Sequence, residues 1–170
     1  MKDNPHEFLP EVTPEGETIA RMTRGEAHSG TKRLHPVVHL HLFNTKGQLF
    51  LQHRPSWKEI QPDRWDTACG GHVGYGEDVQ MALQREVAEE LGVSGIEMKP
   101  LANYVFESSR ERELVYIYTA VYDGVVSPSK DELDGGRFFD KSEIEARFGT
   151  GFFTPNFESE YELYIKTHWL

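Results

Sequence analysis

The stretch from Gly71 to Val93, GHVGYGEDVQMALQREVAEELGV, constrains this chain more than any other. Val79, Leu83, Val87 and Leu91 recur every four residues, which lays one apolar stripe along a helix. The helical pattern runs from Glu77 to Leu91, and Gly92 stands where such a helix ends. At about 100° per residue, Glu86, Glu89 and Glu90 fall in one sector bordering the stripe. Carboxylates three and four apart on a helix repel by roughly 0.2–0.5 kcal/mol per pair. Water, an arginine or a metal ion has to compensate. Taken alone, such a cluster is most simply a solvated helix face.

The segments around this helix read mostly as strands. Residues 8–22, FLPEVTPEGETIARM, suggest two short strands about a Pro-Glu-Gly turn, an N-terminal hairpin. TRGEAHSGTKRLH reads as a polar loop. In PVVHLHLF, Val38, Leu40 and Leu42 face one way and His39, His41 and Phe43 the other. NTKG turns the chain and QLFLQHR returns, so residues 36–54 are expected to form a hairpin. DTACGG is short and extended, and MKPLANYVFES, ELVYIYTAVY and GRFFD are strand-like. KSEIEARF and NFESEYELYIKTHWL predict C-terminal helices over about 141–168. Strands, one central helix, more strands and then helices imply a mixed-sheet α/β sandwich, with residues 1–170 forming one domain.

The opening stretch has a second property. Gly71, Glu77, Arg85, Glu86, Val87, Glu89, Glu90, Gly92 and Val93 fill all nine specified positions of the Nudix box: Gly, five residues, Glu, seven residues, then Arg-Glu-aliphatic-any-Glu-Glu-any-Gly-aliphatic. The segment therefore resembles the Nudix superfamily over 23 ungapped residues. That resemblance implies an α/β (α+β) fold, a mixed-sheet α/β/α sandwich. It also implies divalent-metal-dependent hydrolysis of a diphosphate linkage in a nucleoside-diphosphate-X or related organic diphosphate, with water attacking phosphorus. Glu86 and Glu90 are the first metal ligands it implies, followed by Glu89 and the Gly70 carbonyl. Hard oxygen donors of this kind suit Mg²⁺ or Mn²⁺. For catalysis the resemblance points to Glu86 and Glu89 and, in the loop KDELDGGRFF, to Glu132. Arg85 and Glu77 are expected to be a supporting ion pair, and Gly71 and Gly92 to serve backbone geometry. Arg54, Lys58, Arg110 and Arg112 are expectations for phosphate contacts, and Trp57, Trp65, Tyr75 and Tyr104 for stacking or simple packing.

The first half carries a further likeness. RLHPVVHLHLFNTKGQLFLQHRPSWKEIQPDRWDTACGGH is similar to type I isopentenyl diphosphate isomerases, which share the Nudix fold. Their metal-binding pattern falls on His28, His35, His72, Glu111 and Glu113. Two departures weigh against isomerisation. The position directly before Gly71-His72, where the isomerases keep a catalytic cysteine, is Gly70, and Cys69 lies one residue earlier. In an extended chain one position reverses the side-chain direction. The box carboxylates, which those isomerases degrade, are all retained. Hydrolysis is the expectation and isomerisation the alternative. A non-catalytic binding module is a second alternative, although broken box carboxylates would be expected there.

Composition narrows the partners. The formal net charge of −10 argues against nucleic-acid polymers and acidic membranes, but not against a small anionic substrate approached through divalent cations. No apolar run reaches the roughly 20 residues of a membrane span. MKDNPHEFLPEV lacks a signal-peptide core, and the single Cys69 excludes an intrachain disulfide. A cytoplasmic protein, monomer or homodimer, is expected.

Overall fold

A computed structural model describes residues 4–131 and 133–169. Strands β1 (Phe8–Val12) and β2 (Thr18–Thr23) pair antiparallel as a separate hairpin. The segment read as a polar loop contains a one-turn helix, α1 (Arg24–Ala27). Thr23 and Glu26 cap it reciprocally, a Thr-x-x-Glu signature that nucleates a helix too short to show periodicity.

The main sheet is organised about β3 (Leu34–Phe43). Along one edge β3 pairs in parallel with β8 (Arg112–Val121) over its whole length, and β8 pairs antiparallel with β7 (Lys99–Glu107). The other edge is shared. β4 (Leu49–His53) holds β3 only at Leu42↔Phe50 and Phe43↔Leu49, so the expected hairpin pairs for two residues and then opens. The rest of that edge, Val37 to Leu40, is taken by β6 (Cys69–His72). β5 (Trp65–Thr67) fills the matching edge of β4, whose far edge carries β9 (Gly136–Phe139). The chain from Trp65 to His72 therefore occupies a fork between β3 and β4.

Alternation along β3 decides what covers each face. Val38, Leu40 and Leu42 join Leu83, Val87 and Leu91 of α2 (Val79–Leu91) in one core cluster. Helix α2 starts two residues later than its periodicity suggests, because Asp78 is the cap, accepting from the Met81 amide. The opposite face is covered by the C-terminal segment. There α3 (Lys141–Arg147) and α4 (Pro155–Glu160) lead into a π-helical turn at Tyr161–Ile165 and a 3₁₀ turn at Lys166–His168. Phe157, Tyr161 and Ile165 pack there on Phe43, Leu49 and Leu51. The result is an α/β/α sandwich. Among the described residues no helix is long and apolar enough to cross a membrane.

Gly92 closes α2 in the left-handed region, φ +65°, with its amide donating to the Ala88 carbonyl. A side chain there costs about 1–2 kcal/mol. Gly92→Ala should lower the melting temperature by roughly 2–8 °C for a chain of this size, and Gly92→Asn by less, as differential scanning calorimetry would read.

Candidate active site

The strand fork opens a cavity of about 1350 Å³. Gln52 of β4 and Asp66 of β5 line one wall, and Gly70 and Gly71 of β6 the other. His39 of β3 and the glutamates of α2 also border it. Because β6 is a short edge segment with consecutive glycines, groups from both faces of the sheet reach one space.

Two of the three helix carboxylates are buried. Glu86 and Glu90 are each 4 % exposed, whereas the Glu89 side chain is 48 % exposed. Apolar packing of α2 forces this: positions 86 and 90 flank Val87 and Leu91 on the core side, and position 89 turns outward. Gly71 makes room for Glu86, since a Cβ at that position would overlap the Glu86 carboxyl group. Arg85 Nη1 donates to Glu86 Oε1 at 2.7 Å. Gln52 Nε2 lies 3.4 Å from Glu90 Oε2, and Cys69 Sγ 3.7 Å from Oε1.

Arg85 ties the loop to the helix. Nε and Nη2 donate to the two Glu77 oxygens at 2.8 and 2.9 Å, Nη2 also to the His72 carbonyl at 3.0 Å, and Glu89 lies 3.6 Å from Nη1. The Arg85 hydrogen bonds hold the Glu77 carboxyl below the usual range, and Glu77 in turn raises Arg85. Charge-assisted bidentate pairs of this geometry are among the stronger polar contacts.

A second group of donors converges on the far side of the glycines. His28 caps α1, His35 lies in β3, His72 ends β6, Glu111 immediately precedes β8 and Glu113 is its second residue. Donor atoms of His28, His35 and His72 lie within 4.8 Å of one another, as do those of His35, Glu111 and Glu113. His28 Nε2 is 3.1 Å from both His72 Nε2 and Glu111 Oε2. His35 Nδ1 donates to the Arg33 carbonyl at 3.1 Å. A carbonyl only accepts, so Nδ1 carries the proton; the fully buried Nε2, which has no hydrogen-bond partner among the described residues and lies 3.8 Å from Glu113 Oε2, offers a lone pair. Burial, with Arg24 nearby, lowers His35 and His72, keeping them neutral. Burial and then Glu111 push Glu113 up to about 7.

The NUDIX domain family model matches residues 33–157. The chain belongs to the Nudix family. An uncharacterized Nudix hydrolase of Listeria monocytogenes is 38 % identical over 128 residues, covering 73 % of this chain and 74 % of the relative. One of Streptomyces coelicolor is 31 % identical, covering 91 % and 86 %. Among solved structures, DR0079 from Deinococcus radiodurans is similar with a TM-score of 0.73 and 26 % identity, covering 87 % of this chain and 92 % of that one. The chain is thus a Nudix hydrolase, of a family that acts on pyrophosphate linkages in small molecules and generally uses a divalent metal.

Within this Nudix site the residues expected from sequence fall unevenly. Arg54, Lys58 and Trp57 line the cavity. Trp65 packs against Phe139, Tyr75 lies on the outer surface beside Arg21, and Arg112 pairs with Glu107; Arg110 does not line the cavity. Glu132 lies outside the described residues, although its neighbours Asp131 and Leu133 border the cavity. Cys69 is 1 % exposed within the core beneath α2, while Gly70 faces His39. Sequence reasoning missed the environment of His39 and His41. Both meet Glu160 of α4, 119 or more positions away, and only the two same-face histidines hinted at it.

Arg85→Ala leaves Glu77 and Glu86 without this partner. The cost should fall between the about 0–1 kcal/mol of an exposed pair and the about 3–5 kcal/mol of a buried one. Melting of the metal-free protein should drop measurably, and Arg85→Lys should restore little of it because an ammonium cannot make the fork. An unchanged melt for Arg85→Ala would show the network to be energetically idle.

Proposed function

We propose that this chain hydrolyses the diphosphate linkage of an organic diphosphate, of the nucleoside-diphosphate-X type or a related one, and requires Mg²⁺ or Mn²⁺. The observation that carries the reading is the burial of Glu86 and Glu90, one helical turn apart in the cavity wall, with Gly71 leaving space for the Glu86 carboxyl group. Buried carboxylates are costly unless compensated, and an oxygen-rich donor set fits a hard divalent cation. Glu86, Glu90, Glu89 and the Gly70 carbonyl are the residues that would hold it. A cation bound there neutralises charge on phosphoryl oxygens and activates water. The chain's own part is to fix that donor set through Arg85 and Glu77, and to shape a cavity with room for a substituent on either side of a diphosphate. Glu89, and Glu132 in the same loop as Asp131, are our choices for assisting the attacking water. We take the chain to act as one domain in the cytoplasm.

A second ion is favoured by one specific observation, the buried Nε2 of His35, which has no hydrogen-bond partner among the described residues. His28, His35, His72, Glu111 and Glu113 are the residues that would hold it, and neutral imidazoles with carboxylates suit Mn²⁺ or another transition ion better than Mg²⁺. The isomerase alternative finds less support, because Cys69 lies in the core and does not line the cavity. Intact carboxylates speak against a non-catalytic module.

A panel of organic diphosphates with Mg²⁺ and Mn²⁺, run in isotopically labelled water, tests the reading: hydrolysis puts label into a phosphate product. Glu86→Gln and Glu90→Gln should each lower kcat by orders of magnitude, and Cys69→Ala should leave it nearly unchanged. Calorimetric titration with Mn²⁺ should lose one binding event in the Glu86→Gln, Glu90→Gln double variant and another in His35→Ala. Conversion of isopentenyl diphosphate to its isomer faster than any hydrolysis, abolished by Cys69→Ala, would reverse the assignment.

A further inference from the structure

We propose that Trp57 is the specificity-determining residue of the cavity: its indole stacks on a planar ring in the substituent of the diphosphate, which makes the substrate class nucleoside-type rather than aliphatic. This rests on the diphosphate reading above and deepens it.

Two of the three tryptophans have a packing role. Trp65 meets Phe139 and Trp169 meets Phe43, both against the core cluster under the C-terminal segment. Trp57 does not. It is 63 % exposed, in a residue type that is highly buried on average, and it borders the cavity that Glu86 and Glu90 also border. Its ring meets the Lys58 ammonium 5.0 Å from the centroid, and no aromatic ring packs on it among the described residues.

The loop that carries Trp57 is held in shape. It leaves β4 and returns to β5, and its base is closed by the Arg54 amide on the Arg64 carbonyl at 2.9 Å and the Asp63 amide on the Arg54 carbonyl at 3.1 Å. The Lys58 amide donates to the Pro55 carbonyl at 3.3 Å, which sets Trp57 as the third residue of a turn. Arg54 fastens the far limb: Nε donates to the Ile60 and Gln61 carbonyls at 3.1 Å, and Nη2 to Ile60 at 2.7 Å. Gln61 and Asp63 hold φ of +51° and +58°. Such values are uncommon outside glycine and persist where the surroundings over-determine them. An aromatic surface fixed before the ligand arrives loses little freedom on binding.

The surroundings select the shape of the occupant. The cavity, about 1350 Å³, exceeds the roughly 300–1,000 Å³ of ordinary small-molecule sites, so a diphosphate at the carboxylates leaves room beside it. A nucleobase has apolar faces and polar edges. The corner at Trp57 offers one flat apolar surface beside Arg54, Lys58 and Asp66, with Arg54 Nη1 3.7 Å from Asp66 Oδ2. An aliphatic tail would cover those polar groups without pairing them, which is costly.

Two probes with the same uncleavable bridge separate substituent from headgroup: methylenediphosphonate, and adenosine 5′-(α,β-methylene)diphosphate, each titrated calorimetrically with Mg²⁺. Trp57→Ala should weaken the adenosine probe roughly 5- to 100-fold, the range for loss of one base–aromatic stack, and methylenediphosphonate far less. Trp57→Tyr, still flat and aromatic, should recover most of the loss, and Trp57→Leu, apolar but not flat, little of it. In wild-type protein the Trp57 indole N–H resonance should move on adding the adenosine probe and stay in place with methylenediphosphonate. Methylenediphosphonate bound by wild type, with equal affinity of wild type and Trp57→Ala for the adenosine probe, would overturn this assignment alone. So would equal losses for both probes, a Trp57→Leu protein that binds like wild type, or an unmoved indole resonance at saturation. Wild-type protein that binds neither probe would overturn the diphosphate reading, and this assignment with it.

Discussion

A strand has two edges, and β3 must satisfy three partners with them. β8 takes one edge completely. On the other, β4 and β6 divide the length, two residue pairs to one and four to the other. Buried backbone amides need partners, so the split is possible only because residues 65–72 fill the fork. Everything functional follows from that division. The fork is where the sheet lets a cavity through, and it brings the carboxylates of α2 close to histidines from the opposite face.

Charge is then the dominant problem in the cavity. A chain with a net charge of −10 gathers Glu86, Glu90, Glu111 and Glu113 around one space, where the lower dielectric strengthens repulsion. Three devices oppose it. Arg85 spreads its donors over Glu77, Glu86 and the His72 carbonyl. His39 and Glu160 neutralise each other at 2.6 Å. Burial pushes Glu113 upward, weakening its charge. Neutral imidazoles at His35 and His72 complete the pattern, because a donor set that keeps its lone pairs suits a cation better than one that is already protonated.

Local pattern and spatial assembly contributed differently to these features. The period of α2, its Gly92 stop and the alternation of β3 are local properties, readable because side-chain direction repeats every 3.6 or 2 residues. The one-turn helix at Arg24–Ala27 was too short for any period. Outward rotation of Glu89 depended on which flank of the stripe the sheet would cover. The reach of Arg85 to the His72 carbonyl needed the path of the intervening loop, which no spacing specifies. Glu160 was further from view, as a carboxylate in a C-terminal helix that sequence alone presents as a solvated face.

By itself the sequence determined the family, through nine box positions in 23 residues, and with it the sandwich and the helix that carries the carboxylates. It also determined that Cys69 and Gly70 would face opposite ways, since neighbouring residues of a strand always do. Tertiary structure alone decided how far β4 would accompany β3 and which carboxylates would be buried, whereas the convergence of His28, His35, His72, Glu111 and Glu113 was already implied by the isomerase resemblance. The tertiary structure also set Glu160 against His39 across 121 positions. The physical reason is that periodicity is a property of one element, whereas convergence depends on pairing and packing between elements distant in the chain.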